Sequence, residues 1–286
     1  MATWNVSTAR QFIDAILGVN STDTIEILTD LDWNEVLESQ RTTVQMSSGS
    51  PVTDVTINGN NHAIYNIDRS MLGSASSVFS IPSNSSGIVF NNLSYLNVHL
   101  NGTTRCAIWS TSNTNTKFNG GVIVARVAGS LFTGTCDVNN MMITFDVAST
   151  GNIMYAGTVN TVKYYNCWIY IRELTFTPSS SNKIACDCTR CYFKGGITQQ
   201  GTAQLGTLFD RLNSCCINVQ IPLNANCLLN AIMKPATSGE ILPSILNSDK
   251  IIGDITDTST ALSIMVTNEQ MKNAEYLAGV GFDIVP

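Results

Sequence analysis

Two aspartates have the spacing that could support acid–base chemistry. Asp187 and Asp210 lie 23 residues apart, and Arg190 and Arg211 follow them closely. Two carboxyl groups held together can act as general acid and general base on a glycosidic bond. We favour the simpler interpretation, in which both are turn acids with neighbouring counter-charges. Asp187 and Asp210 therefore remain candidates only for an alternative, catalytic function.

The histidines offer little support for catalysis. His62 and His99 are the only imidazoles in the chain. His62 lies in a turn-rich segment, where we expect it to make a structural hydrogen bond. Because no partners for a nucleophilic triad can be identified, the sequence favours a protein without enzymatic activity.

The cysteines form one dense group. Of nine cysteines, Cys186, Cys188 and Cys191 are clustered, and Cys215 and Cys216 follow. A structural zinc site needs two pairs at Cys-x-x-Cys-like spacing, and only Cys188 and Cys191 provide one. Since no secretory signal is visible, we expect reduced thiols buried in the core. A metal site formed by Cys188, Cys191 and Cys215 is the alternative.

No cofactor, nucleic acid or membrane is predicted as a partner. The paired glycines lack the strand–helix context of a phosphate-binding loop. The basic residues are scattered singly, which is not the pattern of a nucleic-acid-binding patch. No apolar run approaches the length of a membrane span.

The composition indicates many short strands joined by tight turns. The chain has 29 Asn, 28 Ser and 31 Thr residues, whereas only 13% of its 286 residues are charged. Asn, Ser, Thr and Gly are typical of strands and turns rather than of long helices. Net charge is −7 over residues 1–68, +6 over 69–234 and −5 over 235–286. Acidic ends flanking a basic middle could guide packing against a partner.

A strand theme recurs along the chain and predicts a solenoid. The recurring turn residues are Asn91, Asn119, Asn139, Tyr165, Arg190, Asn213 and Asn247, with steps of 28, 20, 26, 25, 23 and 34 residues. A drifting period near 25 with one short strand theme per step is typical of a parallel β-helix. We predict that stacked strands carry Tyr95, Val122, Ile143, Ile169, Phe193 and Ile217. The predicted fold class is thus all-β, in one domain over residues 1–286.

Short helices are predicted near both ends of the chain. Thr8 with Gln11 and Thr267 with Gln270 have capping-box spacing, and Gly279 is a helix stop. Since a solenoid must cover its exposed ends, we assign residues 1–22 to an N-terminal helical cap. Residues 23–264 form the β-helix, and residues 265–286 form a C-terminal cap helix and tail.

Three segments resemble a known family. Residues 55–67, 87–93 and 267–283 are similar to the early coil, coil start and closing segment of pectate-lyase-like β-helices. They resemble especially the Gly-Leu-rich repeat type of phage virion and bacterial surface proteins. The resemblance implies a right-handed parallel β-helix, but this fold hosts several functions.

The expected function follows from this resemblance and from the composition. We expect a non-enzymatic structural or host-binding protein of a bacteriophage particle, located in the virion as a tail, fibre or head-decoration component. Its expected partners are two further copies in a homotrimer, other virion proteins and, as a candidate ligand, a host surface glycan. A polysaccharide depolymerase or lyase on the same fold and a bacterial cell-surface adhesin are the alternatives.

Overall fold

The computed structural model describes most of the chain. The described residues are 1–36, 43–68, 77–100, 107–127, 131–148, 162–176, 184–199, 208–223, 227–228, 232–257, 263–280 and 282. They are mostly β-strand, and their strand pairs are parallel. No helix in these ranges is long and apolar enough to cross a membrane.

The strands form two large sheets. Sheet 1 contains β1 (Thr3–Val6), β2 (Thr24–Ile27), β4 (Val44–Gln45), β5 (Thr56–Asn58), β7 (Ser77–Ile81), β8 (Val89–Asn91), β10 (Ala107–Asn119), β12 (Phe132–Asn139), β14 (Val162–Tyr165), β16 (Ala185–Thr189), β18 (Phe209–Asn213) and β21 (Met233–Pro235). Sheet 2 contains β3 (Leu31–Asp32), β6 (Ala63–Tyr65), β9 (Ser94–Leu100), β11 (Val122–Val127), β13 (Met142–Ala148), β15 (Trp168–Phe176), β17 (Tyr192–Gln199), β19 (Cys216–Pro222), β22 (Ser244–Asn247), β23 (Ile251–Ile252) and β25 (Ser263–Val266). A separate pair joins β20 (Cys227–Leu228) to β24 (Ile255–Asp257).

Successive strands from β8 to β19 alternate between the two sheets. Each strand pairs with strands one repeat earlier and one repeat later, where a repeat is one strand in each sheet. The predicted all-β, parallel and repetitive architecture is confirmed at this level.

The prediction that six particular residues lie on stacked strands is confirmed, and Val122 lies on β11. Tyr95, Ile143, Ile169, Phe193 and Ile217 lie on adjacent strands in register. The residue of β11 in this stack is Ile123, whereas Val122 is in register with Met142. Since Val122, Ile123 and Val124 are all β-branched, their side chains carry no alternation from which the inward phase could be predicted.

The recurring turn residues form a column that differs from the prediction at two positions. Asn91, Asn119, Asn139, Tyr165, Thr189 and Asn213 are in register at the ends of the sheet 1 strands. Arg190 is the residue after this column, and its φ of 53° places it in the left-handed region. Asn247 belongs instead to sheet 2, where it is in register with Val266.

Asparagine amides link neighbouring repeats in this column. Asn58 donates to Glu26, Asn91 donates to Asn58, Asn119 donates to Asn91, and Asn139 donates to Asn119. The three Asn-to-Asn distances are 3.0 to 3.2 Å. Because adjacent strands are about 4.8 Å apart, an amide on one strand can reach the next directly. We refer to these side chains as the amide ladder.

The main core lies between the sheets and is rich in aromatic contacts. Ring centroids are 4.6 Å apart for Phe79 and Trp109, and 4.5 Å apart for both Phe90–Phe118 and Phe118–Phe132. The Trp109 indole donates a 2.7 Å hydrogen bond to the buried Tyr95 hydroxyl. The polar ends of both aromatic side chains are thereby satisfied inside the core.

Three helices and three short 3₁₀ turns complete the described structure. The helices are α1 (Ala9–Gly18), α2 (Asn268–Met271) and α3 (Ala274–Gly279), and the 3₁₀ turns are Trp33–Glu35, Met46–Gly49 and Ser248–Lys250. Thr267 forms the predicted reciprocal capping box with Gln270. Thr8 caps α1 by accepting from the Gln11 amide, but the Gln11 side chain accepts from Ser7 N instead of Thr8 N, so only half of that predicted box forms.

The terminal helices differ in where they pack. The apolar face of α1 joins the main core, and β1 extends sheet 1 beside β2. The C-terminal helices instead join a second, smaller cluster with Tyr192, Cys216 and Ile245. Since the adjoining Phe193, Ile217 and Leu246 belong to the main core, the C-terminal helices lie on the outward side of sheet 2.

Candidate functional site

The two candidate catalytic aspartates do not form a stacked carboxylate pair. Asp210 is in register with Cys186. The Asp187 carboxylate instead binds the Arg211 guanidinium through two hydrogen bonds of 2.6 Å. This bidentate pair matches the favoured interpretation of turn acids with counter-charges.

Both histidines lie beside aspartates. His62 Nδ1 is 3.3 Å from Asp30 Oδ1, which also accepts a hydrogen bond from the backbone amide of Ala63. His99 Nδ1 is 3.8 Å from Asp68 Oδ2. The expected structural hydrogen bond of His62 is therefore present.

Three thiols form a column with a step of 24 residues. Cys167, Cys191 and Cys215 are buried, and each thiol donates to the backbone carbonyl two residues before it. Each also contacts a carbonyl of the previous repeat, such as Cys188 O, which lies 3.2 Å from Cys215 Sγ.

Burial is the largest influence on the middle thiol of this column, Cys191. It raises the pKa of Cys191 well above its usual value, and hydrogen bonds with the thiols of Cys167, Cys188 and Cys215 raise it further. The prediction of buried cysteines is confirmed for the six whose side chains are described. Among the described residues, no group of three or more His, Cys, Asp or Glu side chains is arranged to hold a metal ion.

A different set of residues forms an exposed face on sheet 2. Met142, Trp168 and Tyr192 are in register on β13, β15 and β17, and their side chains point outward. Beside them, Thr144, Tyr170 and Lys194 form a second outward row. These six residues, here named the aromatic face, line a shallow groove of about 400 Å³.

Large apolar side chains of this face are open to solvent. Met142 is 54% exposed, Trp168 is 43% exposed and Tyr170 is 41% exposed. Single exposed apolar residues are common on protein surfaces, but a contiguous group often marks a binding site. Their position on paired strands also holds them in fixed relative positions.

Tyr192 gives the face a fixed edge. Its ring centroid lies 5.0 Å from that of Trp168 at an interplanar angle of 48°. Its hydroxyl accepts a 3.0 Å hydrogen bond from the Asn218 side chain. Burial raises the pKa of Tyr192, so its phenol is neutral near pH 7.

The lining of the groove carries groups that can bind a ligand. Its described lining residues include one cation, Lys194, and no carboxylate. Aromatic rings can stack on an apolar ligand surface, while Thr144, Tyr170 and Lys194 can hydrogen-bond to polar groups. This combination of apolar surface and a few polar groups is typical of ligand sites.

The aromatic face is not among the candidate sites identified from the sequence, although the sequence of β15 contains a pattern that indicates it. In β15, Trp168 and Tyr170 alternate with the buried Ile169 and Ile171. Since aliphatic residues occupy the inward positions, alternation places both aromatic side chains outward. Two large aromatic residues on the solvent side of one strand are the detectable pattern.

The segments that carry the family resemblance occupy defined places in the structure. Residues 55–67 include β5 and β6, residues 87–93 include β8, and residues 267–283 include both C-terminal helices. Comparison of the chain with protein-family models, with curated proteins and with solved structures finds no match.

Proposed function

We propose that this chain is a non-enzymatic structural and host-binding protein of a bacteriophage particle. In this proposal the two parallel sheets are faces of a right-handed β-helix, and three copies associate in the virion. The alternation of strands between sheets supports the solenoid, and the uncharged polar composition suits a densely packed assembly.

The observation that carries the binding function is the exposed aromatic face. A strand position open to water is ordinarily occupied by a polar residue, yet Met142, Trp168 and Tyr170 stand there together. Their exposure disfavours the isolated chain in water, and a bound ligand that covers them would remove that cost.

The size of the face favours a small ligand over a second protein. With about 200 Å² per large side chain, the exposed fractions of Met142, Trp168 and Tyr170 amount to roughly 300 Å². A stable protein interface buries about 800 Å² on each partner. A sugar ring presents an apolar C–H face for stacking and hydroxyl groups for hydrogen bonding. We therefore assign a host surface glycan as the ligand.

Glycan binding can be tested with two aromatic variants. Purified protein is applied to an array of bacterial O-antigens, capsular polysaccharides and peptidoglycan fragments. We expect Trp168→Ala and Tyr170→Ala each to weaken binding about tenfold or more, equivalent to about 1.4 kcal/mol, because each removes a stacking surface. Leu28→Ala is the matched control, since Leu28 is 48% exposed and directly follows β2 in the other sheet.

The result would contradict the proposal if no glycan bound, or if both aromatic variants bound as tightly as the unchanged protein. Release of oligosaccharides, abolished by Asp187→Asn or Asp210→Asn, would instead favour the depolymerase. Mass spectrometry of purified virions tests the location independently.

A further inference from the structure

One of the two rows of the aromatic face, that of Met142, Trp168 and Tyr192, is part of a longer apolar row. The outward row of sheet 2 continues in register from Met142, Trp168 and Tyr192 to Cys216 and Ile245. Exposure falls along this row, from 54% at Met142 and 43% at Trp168 to 4% at Tyr192 and 0% at both Cys216 and Ile245. The same row is thus open at one end and covered at the other.

The cover is the C-terminal segment of the chain itself. Residues 267–280 with Phe282, here named the strap, place Met271, Leu277 and Phe282 against the covered half of the row. Met271 Sδ lies 3.4 Å from Cys216 Sγ. Tyr192 belongs both to the groove lining and to the cluster under the strap.

The strap is anchored at its start and held elsewhere by apolar contacts. Asn268 hydrogen-bonds to the side chains of Asn247 and Asp249. Beyond Met271, the hydrogen bonds of the described strap residues stay within the strap. Helices of four and six residues are not stable alone, so the strap depends on three buried side chains.

We infer that the strap is a movable cover over a second half of the binding site. It opens as a unit while the main core stays folded, and opening exposes Tyr192, Cys216 and Ile245 next to Trp168. The ligand of the uncovered row is a longer segment of the same glycan, an inference that rests on the proposed function. Small peripheral clusters open more readily than the main core, because fewer buried contacts must be broken.

Opening and ligand binding are coupled through Tyr192. With the strap closed, Tyr192 belongs to the apolar cluster that includes Met271 and Leu277, and its ring also packs beside that of Trp168. A glycan that extends past Trp168 must compete with the strap for this surface. Such a ligand therefore shifts the strap toward the open state, and the size of the shift is set by how much more tightly the ligand binds the open state than the closed state.

Two adjacent cysteines allow a direct test of strap opening. Cys215 is buried in the main core and Cys216 is buried under the strap, and both are 0% exposed. The full-length protein is incubated with iodoacetamide, and modification at each cysteine is followed by peptide fragmentation in a mass spectrometer. We expect Cys216 to react at least tenfold faster than Cys215.

Strap variants sharpen this test. Leu277→Ala should accelerate the reaction of Cys216 at least tenfold and leave that of Cys215 unchanged, because a buried leucine is lost only from the strap cluster. Glu275→Gln alters an exposed strap residue and should change neither rate. Equal rates at Cys215 and Cys216, or equal acceleration of both by Leu277→Ala, would overturn the inference.

The ligand half is tested with the glycan that binds best on the array. Its longest available fragment should accelerate hydrogen exchange at the backbone amides of Leu277 and Val280, which hydrogen-bond within the strap. Exchange is the readout here because a glycan on the uncovered row would itself shield Cys216. Slower exchange would show that the strap closes over the ligand and would refute competition. If no glycan binds, the proposed function and this ligand assignment fail together. The comparison of Cys215 with Cys216 still decides whether the strap opens.

Discussion

At the scale of single residues, the amide ladder shows how a polar side chain can hold repeats together. Asn91 donates to Asn58 at 3.1 Å and accepts from Asn119 at 3.2 Å. Asn58, Asn91 and Asn119 each use one donor and one acceptor in the ladder, so each of them supports two neighbours. An interruption at one position therefore leaves unpaired groups on both sides.

Asn91→Ala tests the ladder. The substitution leaves Asn58 Oδ1 and Asn119 Nδ2 without their ladder partners, and we expect a loss of about 1–3 kcal/mol in the free energy of unfolding. Urea denaturation measures the loss. Asn5→Ala, at an exposed strand position, is the control and should change stability by less than about 0.5 kcal/mol. Equal effects of the two substitutions would show that the ladder adds no stability.

At the scale of elements, one glycine permits two strands of sheet 2 to approach. Gly195 in β17 is in register with Ile171 in β15 and has a φ of 125°. A Cβ atom there would overlap the carbonyl oxygen of Ile171. The close pairing of β15 and β17, which carries Trp168 and Tyr192, thus requires glycine at this position.

Gly195→Ala should therefore destabilise the protein strongly. The unfavourable backbone angle alone costs about 1–3 kcal/mol, and the steric overlap adds to it. Gly279→Ala is the contrasting change, because no atom lies within 4 Å of a Cβ at that helical position. We expect it to be neutral or slightly stabilising. Thermal unfolding that ranks the two variants in the opposite order would refute this account.

The sequence predicts elements well where side-chain alternation is clear and poorly where it is not. Trp168 to Ile171 alternate large aromatic with aliphatic residues, so the strand and its two faces can be predicted. Val122 to Val124 are uniformly β-branched, so the strand can be predicted there, but not that Ile123 is its buried residue. Asn247 matched the turn pattern but lies in sheet 2, because repeat lengths vary between strands.

The candidate site was less predictable than the fold for a related reason. Alternation can place Trp168 and Tyr170 on the outward side of a strand, but it cannot show what covers an outward position. Tyr192 has the same local pattern as Trp168, yet Met271 and Leu277 belong to its cluster from about 80 residues later in the chain. Contacts over that separation are not encoded in a local pattern.

At the scale of the whole molecule, the proposal of a trimer predicts the mass of the protein in solution. The chain carries few charges to keep copies apart, and a closed threefold assembly would avoid open-ended filaments. Light scattering of the purified protein should give the mass of three chains. Trp168→Ala should leave that mass unchanged, because the aromatic face is assigned to a glycan. A purely monomeric protein would contradict self-association, and dissociation caused by Trp168→Ala would place the aromatic face at the subunit contact.

The 24-residue step between Cys167, Cys191 and Cys215 bears on how such a gene can change in length. Across these repeats, each strand of sheet 2 pairs with the strand one repeat before it and the strand one repeat after it. Duplication of a 24-residue unit by unequal recombination would supply each new strand with neighbours of the same kind, and the two ends of the molecule would be unaltered. Molecular length could therefore vary between descendants in steps of one strand spacing, about 4.8 Å, without redesign of the core.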